Sequence, residues 1–279
     1  MTNTMGIGRW AALVCILLAW SGCGPTAKDH LDIATTTSVQ NSGLLDAILP
    51  HLQPATVRVH AVGSGLALKM LADGTVDLVI SHAPDTEKRY LSTHPDWTYR
   101  KIAFNHFLLI GPAEDPARVR SSADVVEAFR RIAASSASFV SRGDQSGTDE
   151  REQMLWKQAG GSLPAARRFI SGASMAVTLR QADERDAYTL SDESTFWQLE
   201  GRLKTVVLFA RDPRLSNSYA VVFLPRAPLA LRFADWLTQG DGRQRLAAYR
   251  IQGRAAFTVW PPGCESGIPD MAPCDGFGK

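Results

Sequence analysis

The chain has almost no surplus of charge of either sign. Its 279 residues carry 30 Lys and Arg against 28 Asp and Glu, a formal net charge of +2. A near-neutral protein projects no general field toward nucleic acid or an anionic membrane. Nucleic acid is therefore excluded as a partner, and basic character at any ligand site has to be local. Cysteine is scarce, at four residues, which excludes a disulfide-built scaffold. There is no internal repeat and no low-complexity block. Long apolar runs are absent with one exception, Trp10 to Trp20, reading Trp-Ala-Ala-Leu-Val-Cys-Ile-Leu-Leu-Ala-Trp. That run is roughly half of the ~20 residues a bilayer span requires, and nothing later is apolar enough to span.

The exception sits where an export signal would. Arg9 is the only charge before it, and the small residues Ser21 and Gly22 follow. A charge, an apolar core and small residues come in the order a secretory signal needs. The other reading is a buried N-terminal helix of a cytosolic protein. Residues 1–22 are thus expected to be a signal peptide and 23–29 a tether. Ser21-Gly22-Cys23 resembles a bacterial lipoprotein cleavage site, which implies lipidation of Cys23, a periplasmic location and membrane attachment through the lipid alone. Trp20 stands where that pattern has an aliphatic residue. Of the other cysteines, Cys15 lies in the signal. Cys264 and Cys274 lie in a Pro- and Gly-rich tail, 261–279. In an oxidising compartment they read as one disulfide closing a surface loop. Metal binding is the alternative, without a nearby His or Cys to complete a site.

From His30 onward short apolar runs alternate with amphipathic stretches. Strands are expected at Leu31–Ala34, Thr56–Val62, Val76–Ile80, Phe104–Ile110, Ser138–Val140, Val206–Phe209 and Tyr219–Leu224. Helical spacing marks Leu44–Leu52, Leu66–Ala72, Val125–Ala134, Thr148–Ala159, Met175–Ala182, Leu229–Gln239 and Arg243–Tyr249. Such alternation predicts an α/β architecture with largely parallel sheets. Breaks near Gly111–Pro116 and Asp212–Asn217 suggest passages between two lobes. The first lobe would take 30–111 and 217–260, and the second, 112–216, would be inserted in it.

Three turns share one design: Thr35–Ser42, Gly63–Gly65 and Ser141–Thr148. Each follows a strand, is rich in Gly, Ser or Thr, and runs into a helix N-terminus. Open α/β sheets place ligands at the carboxyl ends of their strands. Helix N-termini there offer unpaired N–H groups and partial positive charge, an anion site that needs no net charge. In Ser141-Arg142-Gly143-Asp144-Gln145-Ser146-Gly147-Thr148-Asp149, Arg142 is the candidate counter-charge. Ser146 and Thr148 supply hydroxyls, and Thr148 or Asp149 is expected to cap the next helix. Asp144 and Asp149 are expected to point away from an anion or into caps. The bland alternatives are ordinary helix capping and a surface ion pair for Arg142.

These residues carry a resemblance. Thr35-Thr36-Thr37-Ser38 with Ser42-Gly43-Leu44-Leu45, Val62-Gly63-Ser64-Gly65, and Ser141 to Thr148 look like the tungstate-binding proteins of TupA type, the solute receptors of ABC importers. Asn105 to Pro112, Ala187 to Asp192 and Asp212 to Leu215 fit as well, with His106 in place of the family's Asp. The resemblance covers about residues 30 to 250. It implies a type II periplasmic binding protein, two α/β lobes with a central cleft and hinge, working as a monomer with an ABC permease as partner. It further implies that tungstate or molybdate, with no cofactor, is held by Thr37, Ser38, Ser64, Arg142, Ser146 and Thr148. Gly172-Ala173-Ser174-Met175 departs from the family's Gly-Gln-Gly-Met, and Asn217-Ser218-Tyr219 from its Asn-Pro-Tyr. Two other functions stand beside it. A hydrolase would use Ser146 with His82 or His106, but Gly-Asp-Gln-Ser-Gly is not the nucleophile-elbow pattern, so no enzyme activity and no catalytic residue are expected. A lipid-anchored oxyanion sensor, uncoupled from transport, would use the same pocket.

Overall fold

In the computed structural model the described residues are 1–2, 30–52, 56–161 and 163–261. The expected signal peptide, lipidation at Cys23 and the Cys264–Cys274 disulfide lie outside the described residues. Among the described residues no helix is long and apolar enough to cross a membrane.

The strands are β1 (His30–Thr36), β2 (Thr56–Val62), β3 (Leu78–Ser81), β4 (Thr98–Gly111), β5 (Phe139–Ser141), β6 (Arg168–Ile170), β7 (Thr189–Asp192), β8 (Val206–Phe209) and β9 (Ser216–Phe223), followed by short β10 (Arg250–Ile251), β11 (Arg254–Ala255) and β12 (Thr258–Val259). The helices are α1 (Thr37–Asn41), α2 (Leu44–Ile48), α3 (Ser64–Ala72), α4 (Pro84–Thr93), α5 (Val125–Ala134), α6 (Gly147–Gln158), α7 (Met175–Glu184), α8 (Glu193–Leu199), α9 (Pro228–Thr238) and α10 (Asp241–Ala248).

β4 organises the molecule because its ladder partners change along its length. Thr98 to His106 pair antiparallel with β9, in a first sheet ordered β12-β4-β9-β3-β1-β2. Phe107 to Ile110 pair instead with β7, and Leu109 to Gly111 with β8. The change falls between His106 and Phe107, several residues before the loop at Gly111–Pro116 where the sequence suggested a passage. The reason is that β4 runs unbroken through both sheets and turns only after leaving the second. β9 returns to the first sheet, with Ser216 opposite His106. The first sheet has a parallel core, β2-β1-β3, to which β9 and then β4 add antiparallel; β5 and β6 form a second parallel pair, with Phe139 of β5 bridged in parallel to Tyr188 before β7.

Each sheet is covered on both faces. In the first, Leu31, Ile33, Leu78, Ile80, Val221 and Phe223 pack against Val39, Leu45, Phe233, Leu237 and Leu246 of α1, α2, α9 and α10. The alternate residues Ala34, Val79 and Val222 pack against Ala67, Leu68 and Leu71 of α3 on the other face. The same period-two logic divides β4's distal half. Phe107 and Leu109 face Phe129, Leu155 and Trp156 of α5 and α6, while Leu108 and Ile110 face Met175, Leu179 and Phe196 of α7 and α8. Two separate pairs of cores are what two lobes sharing strands require.

Four elements, α1, α4, β7 and α8, differ from expectation. Thr35 and Thr36 are the end of β1 and Thr37 opens α1, so no turn intervenes. Thr36 makes this possible by capping α1 with its hydroxyl, which accepts from Val39 N at 3.3 Å. α4 escaped the sequence reading because its residues are mostly polar and exposed, although Pro84 at its first position with Asp85 and Glu87 in its first turn is a helix-start signature. β7 and α8 also escaped, because Asp192 ends the strand and caps the helix with no loop between them.

Candidate functional site

The three turns converge. A Cβ on Gly63 would stand 3.1 Å from the Asp144 carbonyl, and one on Gly65 3.5 Å from Gln145 Oε1. The N-terminus of α3 in the first lobe therefore abuts the Arg142–Thr148 turn of the second. His82, just after β3, joins the remaining pair. Its Nε2 lies 3.1 Å from Ser38 Oγ of α1. Its backbone carbonyl leaves so little room beside α6 that a Cβ on Gly147 would sit 2.1 Å from it.

Each residue named from the sequence can be placed. Thr37, half-buried, and Ser38, buried, open α1; Ser64, buried, opens α3. Arg142 follows β5 and is 1% exposed, the largest side chain so deeply buried. Ser146 is the N-cap of α6, accepting from Asp149 N at 3.3 Å, and this corrects the assignment of the cap to Thr148 or Asp149. Thr148 lies one residue inside the helix, fully buried. Ser64 Oγ, Thr148 Oγ1 and Arg142 Nε are all buried and have no hydrogen-bond partner among the described residues. A buried polar group without a partner costs about 1–3 kcal/mol, so three at one seam between lobes mark a place built for an acceptor.

Electrostatics at the seam are finely divided. Asp149, expected to cap the helix or point away, instead accepts from Gly143 N at 3.2 Å and Gln145 N at 3.0 Å and so shapes the turn. Asp144 does not point away. It pairs with Arg142 Nη2 and accepts from Ser146 N at 3.2 Å. The reason is local: a single residue, Gly143, separates them, and its positive φ, +60°, folds the turn back on itself. Glu152, one helical turn into α6, accepts from Arg142 N and from Trp156 Nε1, each at 3.2 Å, and burial pushes its carboxyl up to about 7. Burial also pushes the His82 imidazole down to about 4, with Arg142 pressing the same way and Asp192, Asn217 and Asp144 against it. His82, named from the sequence only as a possible hydrolase partner of Ser146, thus stands in the middle of the cluster. His106, the other such candidate, lies elsewhere, its backbone N–H bonded to Glu193 and its ring 3.7 Å from the same carboxylate.

The departures from the family pattern lie close by. Gly172 N donates to the Arg142 carbonyl at 2.9 Å and Ser171 N to that of Ser141 at 2.8 Å, which ties Gly172–Met175 to the arginine turn. Ser218 falls within β9 with its hydroxyl buried and unpartnered. A cavity of about 520 Å³ also opens along the seam, lined by Gly65, Asp85, Arg89, Gln145, Glu150 and Lys157. Its three carboxylates, Asp85, Asp149 and Glu150, outnumber its two cations, Arg89 and Lys157.

The seam also carries a clasp. Glu150 of α6 reaches the N-terminus of α4 in the other lobe. It accepts from Asp85 N at 2.8 Å, Thr86 N at 3.1 Å and Thr86 Oγ1 at 2.7 Å. The N-cap of α4, Ala83, has no side chain to do this.

Known proteins resemble this chain in sequence and in fold. A family model described as a PBP superfamily domain matches residues 24–241. The tungstate-binding protein TupA of Peptoclostridium acidaminophilum is 33% identical, over 85% of this chain and 91% of its own. Among solved structures, the tungstate ABC transporter protein of Geobacter sulfurreducens superposes with a TM-score of 0.71 at 33% identity, covering 80% of this chain and all of that one (100%). TupA from Desulfovibrio alaskensis G20 gives 0.69 at 34% identity, covering 83% and 99%.

Proposed function

Because the chain belongs to the TupA-type branch of the periplasmic-binding-protein superfamily, we propose that it captures a tetrahedral oxyanion, tungstate foremost with molybdate as its near-isostere, for an ABC importer. The observation that carries this reading is the set of buried donors without partners, Ser64 Oγ, Thr148 Oγ1 and Arg142 Nε. A dianion taken out of water needs donors on each oxygen or its desolvation is prohibitive. Hydroxyls, helix N-termini and one planar guanidinium meet that need, touching the oxygens and never the metal within. Thr37, Ser38 and Ser146 complete the proposed shell.

The proposed lobes are 30–111 with 217–260, and 112–216, hinged where β4 and β9 cross. Closure would bring Ser38 and Ser64 from one lobe against Arg142, Ser146 and Thr148 from the other, the hinge motion expected of such receptors. We further propose export through residues 1–22 and anchoring at Cys23.

Isothermal calorimetry of the protein with tungstate, molybdate, sulfate and phosphate tests the reading. Tungstate is expected to bind far below millimolar, and Arg142→Ala to weaken it at least a hundredfold. Failure of every ion to bind more tightly than millimolar refutes the proposal. Full affinity in Arg142→Ala refutes the role of that residue.

A further inference from the structure

The hydrogen bonds behind Ser38 run in one direction, given by how the amides of Asn105 and Asn217 are oriented. Asn105 Nδ2 donates to Ala256 O at 3.5 Å, which turns its Oδ1 toward Asn217. Asn217 Nδ2 spends its donors on that oxygen and on Tyr219 Oη, each at 2.8 Å. Asn217 Oδ1 is left to accept from His82 Nδ1 at 2.8 Å. The imidazole is therefore protonated on Nδ1, and its Nε2 is a bare lone pair facing Ser38 Oγ. Ser38 has one proton, and this lone pair takes it. Thr36 Oγ1, 3.0 Å away, already accepts from Val39 N and gives its own proton to Ser38. With His82 neutral, Ser38 offers an approaching anion only lone pairs.

Charge points the same way. The charged side chains that bear on His82 are Asp192 at the end of β7, with Arg142 and Asp144 from the β5–α6 turn. Glu152 of α6 stands behind Arg142. From β9, Tyr219 stacks on the ring at 4.9 Å, and Phe107 of β4 lies at 6.3 Å. Arg142 is the cation of that turn, and Asp144 already pairs with it; Arg151 of α6 lies 5.7 Å from the centre of the Phe107 ring and donates to the Arg214 and Ser216 carbonyls. A dianion entering here lacks counter-charge, and His82 is the group able to supply it.

Resting on the oxyanion-receptor reading, we propose that His82 is a positioning residue that takes up a proton as the anion binds. The proton comes from solvent or buffer and comes to rest on Nε2. Nε2–H then donates to Ser38 Oγ, and the hydroxyl proton of Ser38 turns to a ligand oxygen. No other bond forms or breaks. The ion and the proton strengthen each other's binding reciprocally.

The test is calorimetry of the intact protein with tungstate at about pH 7, in buffers of different ionisation enthalpy, together with Kd measured from about pH 6.5 to 8. The free ion is fully deprotonated in this range and contributes no proton. Wild type is expected to absorb between about half and one proton per ion bound, with Kd weakening up to tenfold per pH unit. His82→Gln, whose amide is a permanent donor to Ser38, should bind with no proton uptake. Glu152→Gln should retain the uptake, since its carboxyl is the competing acceptor. Binding by wild type with no proton exchange overturns the inference and leaves the receptor reading standing. Uptake that survives in His82→Gln and vanishes in Glu152→Gln overturns it as well. If no ion binds wild type, both fall together. Should His82→Gln fail to fold, wild type and Glu152→Gln decide: uptake retained in both supports the inference, and its loss in Glu152→Gln overturns it.

Discussion

Glu150 offers a direct way to weigh lobe closure, because it holds the lobes together without approaching the donors proposed to bind the anion. Its carboxylate accepts three hydrogen bonds from the first turn of α4 across the seam. The first turn of a helix carries unpaired N–H groups and partial positive charge, and a cap there is worth about 1 kcal/mol. Hydrogen bonds to a charged group contribute about 1.5–3 kcal/mol when well buried. Glu150 is only partly buried, and water solvates it once the lobes part, so each bond is discounted. A total of about 2–3 kcal/mol specific to the closed state follows. Since 1.4 kcal/mol is tenfold in an equilibrium constant, Glu150→Ala should weaken tungstate binding roughly 30- to 150-fold. Glu150→Gln keeps one acceptor and loses the charge, and should fall about midway on a logarithmic scale. The loss should appear in the dissociation rate, because the open lobes that meet the ion are unaltered. Stopped-flow tryptophan fluorescence measures both rates, and small-angle scattering reports closure. If Glu150→Ala binds within twofold of wild type, the clasp adds nothing and the reasoning fails.

Gly147→Ala should separate closure from folding. Its Cβ would collide with the His82 carbonyl from the other lobe, an overpacking cost of about 1–3 kcal/mol that opening relieves. Kd is expected to rise tenfold or more with a melting temperature within a few degrees of wild type; an unchanged Kd refutes the close approach. Arg142→Lys keeps the charge but loses the planar fork that serves Asp144 and a second acceptor. Calorimetry should show at least tenfold weaker binding, and wild-type affinity would mean that charge alone suffices. Glu87 is fully buried, accepts from Ser81 Oγ at 2.6 Å and Ala83 N at 2.9 Å, and is pushed by burial from 4.5 up to about 7. A raised folded pKa means the folded state holds its proton longer, so Glu87 costs stability progressively from about pH 4.5 to 7. At 1.36 kcal/mol per unit this amounts to about 3 kcal/mol at most. Glu87→Gln should be more stable than wild type at pH 8 and nearly equal at pH 4.5 in urea melts. A difference that does not change with pH refutes the assignment.

Much of the fold was legible because burial on both faces of a sheet writes itself as short apolar runs, as at Leu78–Ser81 and Phe107–Ile110. The order of strands was less so. Thr98–Gly111 passes from a mixed half, Thr98–His106, to a wholly apolar one, Phe107–Gly111, but that shift does not announce that one strand serves two sheets, since the change of partner is a tertiary event. α4 was hidden by polarity and α8 by a missing loop. The breaks at Gly111–Pro116 and Asp212–Asn217 suggested two lobes, and the family resemblance supplied what pattern could not, a central cleft with a hinge.

For the site, the legible part was the chemistry of each turn, and the illegible part was who answers whom. Ser and Thr before a helix read alike whether they cap it or wait for a ligand. The structure divides them: Thr36 and Ser146 cap, while Ser64 and Thr148 do not. Arg142 and Asp144 are two residues apart, yet their pairing depends on a left-handed glycine between them, and its consequence depends on Asp192 and His82 from distant segments. The counter-charge of the site is thus a property of the folded seam. A single arginine, half spent on its own neighbour, can hold a dianion only if neutral donors take most of the load. That is why hydroxyls and helix ends dominate this cleft, and why a change in the proton held by one buried imidazole would be felt throughout it.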